Sequence, residues 1–310
     1  MNEILLWSLI FLVSLAVMLR GADWLLVSGE RIGRAKGLSP FVIGVLIVGI
    51  GTSLPELISS LAAVLQGATE IVPANAIGSN ITNILLVVGL SAVVARKLEV
   101  TKNLVDLELP LLAIATAMAA GAMADRSVSQ AEGAFLVLAF AVYVAYTLLF
   151  REHPKATEKR PKTNGGTALK LIAGAIALAI GANYIIESVV RLADLFNVSA
   201  GLITLAAVAL GTSLPELTVS LKAAFRGDSA VALGNIFGSN AINALLVLGL
   251  PALFTGLAVD QQTFSLALPV FVVVTLLFIL SGLSRRIHIY DGGLYVLIYC
   301  WFIGRLFGLV

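Results

Sequence analysis

The heptapeptide Gly-Thr-Ser-Leu-Pro-Glu-Leu stands at residues 51–57 and again, letter for letter, at residues 211–217. Both copies lie within long apolar runs, so each places a glutamate, Glu56 or Glu216, at the depth of a membrane interior. A charged side chain there costs about 2.5 kcal/mol or more, so an intramembrane glutamate is by default a functional residue. We therefore predict that the two glutamates are ligands of a transported cation.

The sequence around the heptapeptide is duplicated as well. Identical residues recur at an offset of 160, without a gap, over about seventy residues, which marks an internal duplication. The polar members of the match are Asn75, Gly78-Ser79-Asn80 and Asn83 in the first copy, and Asn235, Gly238-Ser239-Asn240 and Asn243 in the second. We expect the two halves of the chain to have equivalent structures.

The composition is that of a membrane protein. Of the 310 residues 59% are hydrophobic and 12% are charged, and the mean hydropathy is +1.01. Soluble chains are about 45–50% apolar and about 25% charged. A net charge of +2 gives no indication of a nucleic-acid partner. The single cysteine, Cys300, excludes an intrachain disulfide.

Ten apolar segments reach the ~20 residues that a helix needs to cross the hydrocarbon core. They lie at 4–28, 38–65, 71–95, 104–123, 129–150, 169–194, 200–225, 230–254, 263–282 and 288–309. We predict an all-α polytopic membrane protein with five helices in a first repeat (1–150), a cytoplasmic linker (151–167) and five helices in a second repeat (168–310). Because five is odd, the second repeat should be inverted in the membrane relative to the first. The first segment has no basic flank before it and no small-residue cleavage site after it, so we expect it to be retained.

The basic residues predict the orientation in the membrane. The loops after the odd-numbered helices hold Arg and Lys at 31–36, 96–102, 151–162, 226 and 285–286, whereas the even loops hold only Arg126 and Arg191. By the positive-inside rule the odd loops are cytoplasmic, so both termini lie outside the inner membrane. The linker is rich in Lys, Glu, Pro, Thr and Gly, and we interpret it as a solvated connection rather than a regulatory segment.

Helices two, three, seven and eight are predicted to be broken. Pro55 and Pro215 each lack the N–H group that a helix interior needs, so the carbonyl groups of residues 49–52 and 209–212 should be free to face a ligand. Such irregular backbone is tolerated at membrane depth only where it is buried in protein or lines a cavity. We expect a second pair of breaks at Gly78-Ser79-Asn80 and Gly238-Ser239-Asn240.

The polar residues share helix faces with the two glutamates. Thr52 and Glu56 are four residues apart, as are Ser79 and Asn83, and the second half repeats both spacings. If these faces converge, they offer carboxylates, hydroxyls, amides and carbonyl groups without any His or Cys. Hard cations such as calcium prefer oxygen ligands of this kind. For Asn75, Asn80, Asn235 and Asn240 the sequence leaves ligation and helix–helix contact equally open.

These motifs resemble the alpha repeats of the cation/calcium exchanger superfamily, in its sodium/calcium exchanger and YrbG-like prokaryotic branch. The resemblance implies antiport of Ca²⁺ against Na⁺ by alternating access, with no cofactor. It implies that Glu56 and Glu216 are the central ligands. The other ligands that the resemblance implies are Thr52, Ser53, Thr212, Ser213, Ser79 and Ser239, the backbone at Gly49 and Ala209, and the middle-site pair Asn83 and Asn243.

One position departs from part of this family. Some archaeal exchangers and the potassium-dependent branch have Asp where this chain has Asn243, so the monovalent stoichiometry stays open. The proton/calcium branch typically has Gly-Asn-Ala-x-Glu in place of the heptapeptide, which favours sodium over protons here.

Two alternative functions remain. A proton/calcium antiporter would use the same two glutamates. A cation channel would need a ring of glutamates from several identical subunits or loops, which two copies in one chain do not provide. An intramembrane enzyme is disfavoured because the spans contain no His-rich metal motif and no pairing of nucleophile and base. One chain in the lipid bilayer is sufficient for the site.

Overall fold

The computed structural model describes residues 2–101, 104–149, 161–195, 211 and 213–309. The helices of these residues, labelled α1 to α10 in chain order, are Asn2–Ala35, Pro40–Leu65, Ile71–Ala95, Leu104–Ala122, Gln130–Leu149, Gly165–Leu195, Leu214–Phe225, Ser229–Ala252, Thr263–Leu283 and Ile289–Leu306. Four short strands, β1 to β4, are Lys97–Glu99, Ser127–Val128, Leu257–Ala258 and Arg286–His288.

Within the described residues, eight helices are long and apolar enough to cross a membrane. Helices α7 and α10 are not among them. Residues 200–210 and 212 of the expected seventh span, 200–225, lie outside the described residues, and α7 begins at Leu214. The same holds for residues 151–160 of the expected linker. The prediction of a helical membrane protein is confirmed.

Four helices form the interior of the protein. Helices α2, α3, α7 and α8 all pack against one another. The most apolar stretch of α8 is 94% buried, and that of α3 is 72% buried. In contrast, α1 is only 17% buried over its most apolar stretch and packs along α6 at the periphery. Polar residues can therefore collect between the four inner helices, away from lipid.

Three of the four predicted breaks are replaced by π-helical turns, whereas at the fourth Ser213 is a turn residue and α7 begins at Leu214, one residue before Pro215. Helix α2 stays helical through Pro55, and α3 and α8 stay helical through their Gly-Ser-Asn segments, so the expected breaks there were wrong. The π turns lie instead at Ile43–Val48 in α2, Asn83–Val88 in α3 and Ile242–Val247 in α8. A π turn accommodates an extra residue without interrupting the helix, and such turns are frequent at functional sites. Two further π turns, which the sequence analysis did not predict, open α4 and α9 at Leu104–Glu108 and Thr263–Ala267.

The two halves of the duplicated sequence exchange contacts reciprocally. Strand β1 of the first half pairs with β4 of the second, and β2 pairs with β3, both antiparallel. Helix α3 touches α10 at Gly89, where an added Cβ would lie 3.0 Å from the carbonyl oxygen of Gly292. Helix α8 touches α5 in the same way, with 3.0 Å between a Cβ on Gly249 and the carbonyl oxygen of Gly133. Each half thus completes the packing of the other.

An ion-pair cluster joins α1 to α7. Asp23 pairs with Lys222 at 3.0 Å and with Arg226 at 2.9 Å. Arg20, one turn earlier in α1, lies over the ring of Trp24. The residues that match Asp23, Lys222 and Arg226 in the other half are Asn183, Ala62 and Gln66. The equivalent contact between α6 and α2 therefore has no charges at these positions.

Candidate cation-binding site

Glu56 of α2 and Glu216 of α7 are both 0% exposed. Ser53, three residues before Glu56 in α2, places its Oγ 3.1 Å from Glu216 Oε1, so the two helices meet beside both carboxylates. Both come from the heptapeptide, and the four inner helices surround them. The prediction that the duplication places two carboxylates in one buried region agrees with this arrangement.

The two carboxylates have unequal surroundings. Glu216 Oε1 accepts hydrogen bonds from Ser53 Oγ at 3.1 Å and from Ser239 Oγ at 3.4 Å. Glu216 Oε2 and both carboxylate oxygens of Glu56 have no hydrogen-bond partner among the described residues. Three of the four carboxylate oxygens are thus buried acceptors that receive no hydrogen bond from the described part of the chain. Buried acceptors of this kind need an explanation, and a bound cation supplies one.

Glycine residues allow α2 and α8 to meet at this depth. A Cβ on Gly238 would lie 2.3 Å from the carbonyl oxygen of Val45, and one on Gly234 would lie 2.5 Å from that of Phe41. Any larger residue at these two positions would push the helices apart. The close approach brings Thr52 of α2 within hydrogen-bond distance of Asn235 on α8.

The hydroxyl of Thr52 links the two halves. Thr52 Oγ1 donates to Asn235 Oδ1 at 3.0 Å, and it lies 3.3 Å from Ser239 Oγ and from the carbonyl oxygen of Gly49. Thr52 therefore contacts two other predicted ion ligands, Ser239 and the backbone of Gly49. Ser213 immediately precedes α7, and its buried hydroxyl has no partner within the described ranges.

Asn83 and Asn243 lie in the π turns of α3 and α8. Both residues are 0% exposed. Neither amide group has a hydrogen-bond partner among the residues that the structure describes. An amide oxygen buried in this way is available to a cation, as the middle-site prediction requires. Asn80, nearby in α3, uses its amide differently, because it donates to the carbonyl oxygen of Asn240 at 3.1 Å and so joins the halves.

Asn75 and Asn235 donate hydrogen bonds to the backbone carbonyl groups of the two glutamates. Asn75 Nδ2 donates to the carbonyl oxygen of Glu56 at 3.3 Å and to Ser60 Oγ at 3.0 Å. Asn235 Nδ2 repeats this pattern with the carbonyl oxygen of Glu216 at 3.4 Å and Ser220 Oγ at 2.9 Å. The sequence left open whether Asn75 and Asn235 bind the ion or join helices. Their amide nitrogens join helices, because they donate to the backbone of the turn that carries each glutamate.

The structure brings most of the predicted residues into one buried region. Ser79 of α3 is buried there too. Thr212 and Ala209 lie outside the described residues. The sequence analysis did not single out Ser60 and Ser220, although they also match at the offset of 160. In the described part of the chain, no group of three or more His, Cys, Asp or Glu residues could hold a metal ion. The site instead combines two carboxylates with hydroxyl, amide and carbonyl oxygens, which suits Ca²⁺ and Na⁺.

A family model described as sodium/calcium exchanger protein matches residues 6–149 and 167–308. The chain belongs to the sodium/calcium exchanger family. Two relatives illustrate this similarity. Inner membrane protein YrbG of Escherichia coli is 33% identical in an alignment of 288 positions, which covers 89% of this chain and 88% of YrbG. Sodium/calcium exchanger MaX1 of Methanosarcina acetivorans is 31% identical in an alignment of 342 positions, which covers 96% of this chain and 98% of MaX1.

A solved structure of the sodium-calcium exchanger NCX_Mj, soaked with zero Na⁺ and Ca²⁺, has the same fold. It superposes with a TM-score of 0.85 at 33% identity, covering 98% of this chain and 99% of NCX_Mj. Members of the sodium/calcium exchanger family are transporters, so this chain is an ion transporter and not an enzyme.

Proposed function

We propose that the protein is a secondary antiporter that exchanges Ca²⁺ for Na⁺ by alternating access, with Glu56 and Glu216 as the central ligands. One observation carries this proposal. Two fully buried glutamates come from equivalent positions of a duplicated sequence, and three of their four carboxylate oxygens have no hydrogen-bond partner among the described residues. The hydroxyl groups of Ser53 and Ser239 reach the fourth oxygen.

The two carboxylates explain how the fluxes are coupled. One Ca²⁺ or two Na⁺ ions neutralise them, so a loaded site carries little net charge. An empty site keeps two unpaired charges at membrane depth, which is energetically costly. Reorientation across the membrane is therefore favoured only when the site is loaded, and each ion must be exchanged for the other.

The relatives support these substrates. MaX1 is named a sodium/calcium exchanger, and NCX_Mj was soaked with Na⁺, Ca²⁺ and Sr²⁺ in its solved structures. Sr²⁺ is a divalent ion of the same chemical group as Ca²⁺. We infer that the site of this chain also takes Ca²⁺ and Na⁺.

We further infer ten membrane spans in two inverted halves, with residues 1–150 and 168–310 as the repeats. The reciprocal pairing of β1 with β4 and of β2 with β3 supports a two-fold relation between the halves. The basic loops after odd-numbered helices support an inner-membrane protein with both termini outside. A single chain supplies both carboxylates, so a monomer suffices.

Uptake of radioactive calcium into proteoliposomes tests the proposed exchange. Vesicles are loaded with Na⁺ and diluted into Na⁺-free medium, and a matched set carries only a proton gradient. We expect uptake that requires internal Na⁺ and is lost in vesicles that contain E56Q. Uptake driven by protons alone would replace Na⁺ by H⁺ as the counter-ion, because two protons also neutralise the two glutamates. Net current without a counter-ion would indicate a channel.

A further inference from the structure

A third carboxylate is buried in the protein, away from the two central glutamates. Glu108 is 1% exposed and ends the π turn Leu104–Glu108 that opens α4. Its Oε2 accepts a hydrogen bond from the hydroxyl of Tyr143 on α5 at 3.2 Å. Its Oε1 has no partner among the described residues. Thr147 lies one helical turn from Tyr143 and is also 1% exposed. Glu108, Tyr143 and Thr147 are called the α4–α5 cluster below.

No positive charge compensates Glu108 in the described part of the chain. None of the ion pairs there includes Glu108. On α4 the nearest charged residue in sequence is Asp106, whose side chain is exposed. Helix α5 contributes Tyr143 and Tyr146. Helix α9, which packs against the π turn, contains no titratable residue, and Arg285 and Arg286 after it are exposed.

The second half provides an internal comparison for this cluster. The π turns Leu104–Glu108 and Thr263–Ala267 are equivalent, and each is followed by Leu-Pro. The register from here onwards is 159, as the reciprocal contacts of Gly133 and Gly292 also require. The residues that match Glu108, Tyr143 and Thr147 are Ala267, Phe302 and Leu306.

In the second half, the positions equivalent to the α4–α5 cluster therefore hold apolar residues alone. Ala267 and Phe302 are buried, and Leu306 packs against the core. The fold itself does not need polar side chains at this place. A buried carboxyl that packing does not require, inside a membrane span, indicates a function of its own.

Among the described residues an ionised Glu108 would have one hydrogen-bond donor and no counter-ion, and a buried charge in such surroundings is strongly unfavourable. We propose that the α4–α5 cluster is a proton-binding site, separate from the cation site. The proton adds to Oε1, the oxygen without a partner, and forms a neutral carboxylic acid. The hydroxyl of Tyr143 continues to donate to Oε2, so no other bond is made or broken.

The position of the cluster connects it to exchange. Helices α4 and α5 both pack against the π turn Ile242–Val247 of α8, which contains Asn243. Loss of the proton would place a charge between α4 and α5 and draw water towards it. We expect exchange to slow at alkaline pH for this reason. Proton competition at Glu56 and Glu216 would instead slow exchange at acid pH, so the two effects are separable.

Difference infrared spectroscopy of the full-length protein in liposomes tests the site without a transport measurement. A protonated carboxyl group has a C=O stretching band that a carboxylate lacks. We expect such a band at neutral pH, lost in E108Q and retained in D106N, whose carboxyl is exposed in the same π turn. Y143F should shift the band, because the hydrogen bond to Oε2 is removed. A spectrum that neither E108Q nor Y143F changes would overturn the proposal. If E108Q does not fold, the spectrum of Y143F alone tests the proposal.

Repeating the spectra at fixed pH, with and without Na⁺, distinguishes a proton from a sodium ion. A Glu108 band that Na⁺ removes would overturn the assignment to a proton. Calcium uptake at rising pH then tests the connection to exchange. We expect the wild-type rate to fall by up to about tenfold per pH unit once the proton is lost, with E108Q staying within about twofold. Equal profiles for the wild type and E108Q would overturn that connection.

Discussion

Glu56 and Glu216 occupy the same place in a duplicated sequence, yet their carboxylates are held differently. The hydroxyl of Ser53 donates to Glu216, whereas its equivalent, Ser213, has no partner among the described residues. Both carboxylate oxygens of Glu56 are likewise without a donor there. Two equal stretches of sequence therefore form an unequal site. This difference between the two carboxylates fits alternating access, because the two end states require two different arrangements of the same residues.

The largest expected effect comes from removing either carboxylate. E56Q and E216Q should each lower calcium uptake at least about 100-fold, because each removes one of the two charges that balance Ca²⁺, and every 1.4 kcal/mol of lost binding is tenfold. Uptake into Na⁺-loaded proteoliposomes measures the effect. E70Q, which changes an exposed glutamate before α3, is the matched control. Normal calcium flux in either site variant would contradict the assignment.

Substitution of Asn75 and Asn235 tests the difference between the surroundings of Glu56 and Glu216. N235A should reduce uptake by roughly 5- to 100-fold, because it removes the donor to the carbonyl of Glu216 and the Oδ1 that accepts from Thr52 at 3.0 Å. Such buried losses cost about 1–3 kcal/mol. N75A should have a smaller effect, since Asn75 is only half-buried. The measurement is the apparent calcium affinity, with thermal unfolding of both variants as the control for stability. A larger effect of N75A than of N235A would contradict the proposed difference between the two halves of the site.

Asn243 and its equivalent Asn83 provide a third comparison. N243D adds a carboxylate to the buried region, so it should change the Na⁺ dependence of uptake or its pH profile, because the site then needs one more positive charge for neutrality. N83D makes the same chemical change in the other half and is the matched variant. Unchanged Na⁺ dependence and pH profile in N243D would remove Asn243 from the site.

The smallest effect is expected at the ion-pair cluster of Asp23. D23N gives α1 the residue that α6 has at Asn183, and it breaks the pairs with Lys222 and Arg226. The carboxylate of Asp23 is 35% exposed, so the loss in unfolding free energy should stay below about 1 kcal/mol. Thermal unfolding in detergent at low and high salt measures it. A loss that is equally large at high salt would show that the contact is not mainly electrostatic.

The sequence predicts the membrane class and the central pair of carboxylates because both follow from composition and repetition. Apolar runs of sufficient length indicate spans, and an identical heptapeptide in two of them identifies Glu56 and Glu216. The role of Asn75 was not predictable in the same way. An amide can donate or accept, and only the fold decides that its nitrogen faces the carbonyl of Glu56.

The π turns and Glu108 were missed for different reasons. A π turn changes the hydrogen-bond register of a helix without changing its composition, so Pro55 and the two Gly-Ser-Asn segments wrongly indicated breaks elsewhere in α2, α3 and α8. Glu108 lies close to the start of an apolar run and has no counterpart in the duplication, so the repeat did not single it out. The partners of Asp23 are about 200 residues away in sequence and only packing brings them together.

The reciprocal contacts between the halves also bear on the symmetry of the chain. Gly89 meets Gly292 as Gly249 meets Gly133, and each strand after a third helix pairs with the strand before the fifth helix of the other half. Such an exchange is what two copies of one shorter polypeptide make when they associate as a symmetric pair. The two halves of this chain are therefore arranged as the two subunits of a symmetric dimer would be. The two halves are not identical, however, and the α4–α5 cluster is one place where they differ.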